Sequence, residues 1–275
     1  MRLQASVKAL LSHRVLSITL CAHLVSGCAF RSAPGSSAQT VSLGSCSPTP
    51  CVSVSLSAIP EVGGVVSSDE VEQRLRGEMM AVLYAPIDVE GSEPTPENLI
   101  SEIKSRLEEY SRESSAPIDW KLRRHANLVH ANDDVVSIEV VSEGYLGGAH
   151  GFMDKTLMTF DARTGARLSV SDVVDDSVRR TLLKIVEAEF RRARDIPSSQ
   201  SLQDAGFFIL PGQEMPLAEN FALTQRGLEL QYNPYEVGPY SLGATRVVVP
   251  REAVEPLLIA GLKGACNGSP SQTVQ

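Results

Sequence analysis

Between Trp120 and Phe160 the chain sets strand-forming segments one after another, with no helical stretch between them. Trp120–Val129 and Val135–Val141 flank Ala131-Asn-Asp-Asp134, a turn-forming sequence, and together they predict a hairpin. In the second strand, Val136, Ile138 and Val140 fall on one face. Gly144-Tyr-Leu-Gly-Gly-Ala-His-Gly151 then leads to a third predicted strand, Lys155–Phe160. Strands that come in runs, with helices interspersed but not alternating, predict an α+β fold with a mainly antiparallel sheet and several packing helices.

The flanking segments fit that frame. Cys51–Ser57 alternates polar and apolar residues and predicts a strand. Ser67 with Glu70 reads as a capping box, ahead of Val71, Leu75, Met79 and Val82 at helical spacing. A second helix is expected from Pro96, with Leu99, Ile103, Leu107 and Tyr110 on one stripe. After the Asp161–Gly165 turn, Leu168 and Val170 should continue the sheet, and a long helix should run from about Asp175 to Arg194. Residues 195–218, broken by Pro197, Pro211 and Pro216, read as irregular. Phe221–Thr224, Gly227–Tyr232 and Thr245–Val249 predict further strands. Glu252–Leu262 predicts a short helix that tolerates Pro256 only in its first turn.

The N-terminus reads as an address. Arg2, Lys8 and Arg14 precede the apolar run Val15–Val25, which ends in Ser26-Gly27-Cys28, the layout of a secretory leader. Leu24-Val-Ser-Gly-Cys28 also resembles the bacterial lipobox, which makes Cys28 the expected first mature residue and the site of lipidation. Plain secretion is the alternative. Ala29 is not the acidic residue that retains some lipoproteins at the inner membrane, so in a host with two membranes the outer one is expected. Residues 28–50, rich in Ser, Gly, Pro and Thr, read as a flexible tether. Formal net charge is −8, and −11 once the three leader cations are gone. Such an acidic body disfavours nucleic acid as a partner. Of the remaining cysteines, Cys46 and Cys51 could close a tight loop, or Cys266 could staple the C-terminus to the N-terminal strand.

Two loops carry candidate chemistry. Gly144–Gly151 has neither the G-x-G-x-x-G spacing nor a P-loop ending, and a strand rather than a helix follows it, so a phosphate cradle is excluded. Its glycines instead predict a sharp reversal between strands. His125 and His130, five residues apart on a strand, should point to opposite faces and not share a metal. No H-E-x-x-H, cysteine–histidine cluster or G-x-S-x-G is present. The second loop, Tyr232-Asn-Pro-Tyr-Glu-Val-Gly-Pro-Tyr240, is rigid and aromatic, suited to recognising a protein or glycan surface. The competing reading is that Glu236 and the tyrosine hydroxyls satisfy backbone groups at a sheet end.

Taken in order, Gly147-Gly-Ala-His150, Phe160-Asp-x-x-Thr164-Gly165, Leu223-Thr-x-x-Gly227-Leu228 and Pro234-Tyr-Glu-Val-Gly-Pro-Tyr240-x-x-Gly243 resemble a domain-of-unknown-function family. That family forms the extracellular domain of the anti-sigma factor RsiV and the accessory region of the peptidoglycan deacetylase PdaC. The resemblance divides the chain into a leader (1–27), a tether (28–50), an N-terminal half (51–146), an RsiV C-terminal-like domain (147–263) and a tail (264–275). It implies a non-catalytic binding or sensing module with no cofactor and no metal. The expected ligand is a protein such as lysozyme, or peptidoglycan, and His150, Tyr235, Glu236 and Tyr240 are the candidate binding residues. The alternatives are a cell-wall glycan-acting enzyme, with Glu236 as general acid–base and His150 as its partner, and a structural envelope protein.

Overall fold

The computed structural model describes residues 39–43, 52–62, 65–87, 91, 93–113 and 118–268. A six-stranded sheet runs in the order β1 (Gln39–Leu43), β2 (Val52–Leu56), β3 (Trp120–Ala131), β4 (Val135–Tyr145), β5 (Phe152–Asp161) and β6 (Arg167–Leu168). Every neighbouring pair is antiparallel except β2–β3. That pair is parallel because the crossover between its strands holds two helices, α1 (Asp69–Leu83) and α2 (Pro96–Glu113). Both pack on one face of the sheet. Leu75, Met79 and Leu83 of α1 are fully buried in one cluster with Val136, Ile138 and Val140 of β4. Leu99 and Ile103 of α2 bury with Val54, Trp120 and Leu122. Each such side chain contributes about 1.5–3 kcal/mol by leaving water.

The opposite face of β4 meets a second sheet, β7 (Phe221–Thr224), β8 (Gly227–Tyr232) and β9 (Thr245–Pro250), all antiparallel. The short helix α3 (Val170–Val173) and the long α4 (Arg179–Ala193) precede it in the chain. Leu182, Val186 and Phe190 of α4 join Leu228, Leu230 and Val247 in the largest core. Between the sheets the contact is polar. Ser137 Oγ donates to the Leu223 carbonyl at 2.7 Å, and Leu223 N–H donates to Thr159 Oγ1 at 3.1 Å, so side chains satisfy the outer edge of β7. Glu229 accepts from Thr224, Arg226 and Arg246, and Arg246 also donates to Glu139 of β4 at 2.6 Å.

Several expectations change. Gln39–Leu43, inside the expected tether, is a strand paired with β2; its period-two sequence was masked by the Ser-rich composition around it. Ser68, not Ser67, caps α1, and the Ser67 hydroxyl donates to the Arg163 carbonyl. Val170 opens α3 instead of extending the sheet, since the Ser169 and Asp172 capping box turns the chain. The expected 252–262 helix is three pieces, α5 (Arg251–Val254) and two 3-10 turns, Glu255–Leu257 and Ala260–Leu262. Pro256 sits in the first turn of the second piece, where its missing N–H costs nothing.

His125 and His130 face the same side, because a β-bulge between Leu128 and His130 adds one residue to the alternation and pairs them with Val141 and Ser137. Four β4 positions still separate them by about 13 Å. The start of the expected tail, Gly264–Gly268, is docked rather than loose. His130 Nε2 donates to the Ala265 carbonyl at 2.8 Å, and Asn132 Nδ2 donates to Ala265 and Asn267 carbonyls. Cys266 is a buried free thiol, and burial pushes its pKa up to about 11. Cys46 and Cys51 lie outside the described residues, as do the leader and Cys28. The expected boundary at residues 146/147 falls in the β4–β5 loop, so one sheet spans both halves. No helix among the described residues is long and apolar enough to cross a membrane.

Candidate binding site

The glycine-rich segment is the β4–β5 connection, as its composition predicts. Gly144 lies where β4 presses on β3, and a Cβ there would fall 2.0 Å from the Lys121 carbonyl oxygen. Gly147 adopts φ +87° directly over the Trp120 indole, with Cζ2 3.1 Å from where a Cβ would stand. Tyr145 Oη braces the loop by donating to the Gly148 carbonyl at 2.7 Å. At the loop's far end, His150 Nδ1 lies 2.8 Å from the Gly151 carbonyl oxygen. A carbonyl only accepts, so Nδ1 is the donor in this hydrogen bond.

The tyrosine loop is bolted to the same strand. Asn233 accepts from Lys155 N–H and donates to its carbonyl, both at 3.0 Å. Asn220 repeats the clamp, accepting from Leu157 N–H at 2.6 Å and donating to the Lys155 carbonyl at 2.8 Å. Two side-chain amides thereby stand in for a neighbouring strand along the β5 edge. Beyond Asn233 a tight turn is closed by Tyr235 N–H donating to the Gly238 carbonyl at 3.0 Å, and it holds Tyr235 at φ +73°. Tyr240 Oη then donates to the Gly151 carbonyl at 2.8 Å, the oxygen that also receives His150.

One backbone oxygen therefore joins the two loops, and their rings meet there. His150 stacks on Tyr240 with centroids 3.9 Å apart and planes at 22°. Tyr235 lies 5.8 Å from Tyr240 at 33° and is 61% exposed. Glu236 is exposed on the same turn, whereas Val237 is buried beneath it. Of the four candidate residues, the structure brings three rings into one cluster and sets Glu236 at its side. Tyr232 is different: it is buried, its hydroxyl donates to the Pro216 carbonyl, and burial raises its pKa. For Tyr232 and Tyr240 the backbone-satisfying reading holds; Tyr235 and Glu236 project outward.

A neighbouring apolar feature has no motif in the sequence. Phe208 N–H donates to the Val237 carbonyl at 2.8 Å, which lays Phe208 (58% exposed) and Leu210 (57% exposed) beside the tyrosine turn. The signal was Phe207-Phe-Ile-Leu210, four apolar residues in an extended segment that buries only Phe207 and Ile209. Among the described residues no three His, Cys, Asp or Glu side chains gather as a metal site.

Residues 171–252 match a family model described as a protein of unknown function, DUF3298. Over that stretch the chain is similar to the DUF3298 family. The stretch runs from α3 through the second sheet and includes Tyr235, Glu236 and Tyr240 but not His150, so the ring cluster straddles its boundary. A DUF3298 structure from Bacteroides fragilis NCTC 9343 superposes with a TM-score of 0.65 at 16% identity, covering 85% of this chain and 96% of that one. Another, from Pseudomonas aeruginosa PAO1, gives 0.59 at 20% identity, covering 83% and 94%. At those identities the likeness is one of fold, and it reaches well beyond the matched stretch on the N-terminal side. The peptidoglycan-N-acetylmuramic acid deacetylase PdaC of Bacillus subtilis is 25% identical over 156 residues, which is 55% of this chain and 31% of the deacetylase.

Proposed function

We propose that this chain is the non-catalytic binding module of a lipid-anchored envelope protein, displayed on the outer side of a membrane, with peptidoglycan or an envelope-directed protein as ligand. The observation that carries the reading is the junction at the Gly151 carbonyl, where two loops far apart in sequence present His150, Tyr240 and an exposed Tyr235 together. The leader pattern ending at Cys28 supports the anchoring, and the PdaC relative supports a ligand from the cell wall.

Two measurements test it. Labelled palmitate should enter the protein in bacteria and fail to enter Cys28→Ala; equal labelling would overturn the anchor. Purified protein should co-sediment with peptidoglycan sacculi or be retained by immobilised lysozyme, and Tyr240→Ala should weaken that retention about tenfold, worth about 1.4 kcal/mol. Retention of neither would overturn the binding role. The meeting of the loops also suits an enzyme using Glu236 and His150; release of sugar or acetate from sacculi, lost in Glu236→Gln, would select that reading instead.

A further inference from the structure

The geometry points to a carbohydrate platform: we propose that the exposed Tyr235 ring, beside the His150–Tyr240 stack, binds the apolar face of a sugar ring in a glycan chain. This rests on the binding role above and names the chemistry of that site. Tyr235 carries the argument. Its backbone is held at φ +73°, a conformation that costs a bulky side chain about 1–2 kcal/mol and that Gly or Asn would take more readily. Packing does not compensate, because the ring is mostly exposed. A strained residue whose ring stands in solvent is retained for what that ring meets.

The surroundings define what that is. His150 lies face to face on Tyr240 at 22°, Tyr240 is held by its hydrogen bond to the Gly151 carbonyl, and Tyr235 stands beside the pair at 33° with most of its surface in solvent. The next residue on the turn, Glu236, is exposed and brings the acceptor oxygens of a carboxylate to the same loop. Acceptors flanking flat apolar faces complement a pyranose, which offers C–H groups on its face and hydroxyl and amide donors around its rim. A nucleic acid would also stack, but its phosphates would meet Glu236 and an acidic chain.

The test is calorimetric titration of the purified protein with the β-1,4-linked tetramer of N-acetylglucosamine, alongside Tyr235→Phe and Tyr235→Asn. Wild type and the Phe variant should bind comparably. The Asn variant should lose at least tenfold in affinity while its melting temperature stays level or rises, a divergence that a merely structural tyrosine would not produce. If the tetramer does not bind while lysozyme does, in a manner lost in Tyr235→Asn, the glycan assignment is overturned and the binding role stands. If tetramer or sacculi bind equally well to Tyr235→Asn, the platform falls and the binding role stands; if tetramer, sacculi and lysozyme all fail to bind the wild type, both fall.

Discussion

Glu229 is 2% exposed, and its carboxylate stays charged between two arginines. Burial alone would raise its pKa, but hydrogen bonds from Arg226 and Thr224 and the charges of Arg246 and Arg226 outweigh it and hold the group below its ordinary value. A depressed carboxylate stabilises the fold above its unfolded pKa, and that contribution is lost as pH falls through the folded value. Stability should therefore decline below about pH 4. Glu229→Gln should cost about 2–4 kcal/mol at neutral pH, because it removes the buried carboxylate that Arg226 and Arg246 share and leaves Arg246 with Glu139 alone. It should also flatten the acid limb of a urea-denaturation series; an unchanged acid limb would remove Glu229 as its source. No pattern in the sequence announced this network. Thr224, Arg226, Glu229 and Arg246 look like ordinary turn and strand residues until the hairpin folds them against Glu139.

The elements were more legible than their ends. β3, β4 and β5 could be read because alternation there is backed by burial on both faces of β4, which leaves few polar interruptions. α2 and α4 could be read because each has a single apolar stripe. What escaped was local competition. Ser67 and Ser68 are equivalent capping candidates in sequence; in the fold Val71 N–H donates to Ser68 Oγ, while the Ser67 hydroxyl is taken up by the Arg163 carbonyl. The bulge after Leu128 has no signature, yet it reverses the face on which His130 lies. In the candidate site, both loops were visible from glycine and tyrosine content, but the Asn220 and Asn233 clamps that join them to β5 were not. Gly144 tests the element scale: Gly144→Ala drives a methyl into the Lys121 carbonyl and should cost about 2–3 kcal/mol or more. Faster amide exchange should concentrate at the paired ends of β3 and β4; uniform slow exchange there would show that the strands can part without cost.

Across the whole molecule, the last described residues close the structure. Ala265 and Cys266 are fully buried in the largest core, and Asn132 reaches across from the β3–β4 turn to hold three carbonyls of that segment. Truncation after Lys263 should lower unfolding free energy by about 2–4 kcal/mol in urea, through lost packing and an Asn132 amide left without its acceptors. A truncated protein of undiminished stability would make the segment dispensable. The opposite end of the sheet has a different property. The chain's single tryptophan, Trp120, lies 3% exposed beneath Gly147, with its Nε1 unpaired in the described structure. Its emission thus comes from one indole, roofed by the loop that ends in His150. Any event that lifts or presses that loop changes the polarity around a lone fluorophore, so the protein contains its own optical gauge for movement of the His150 loop.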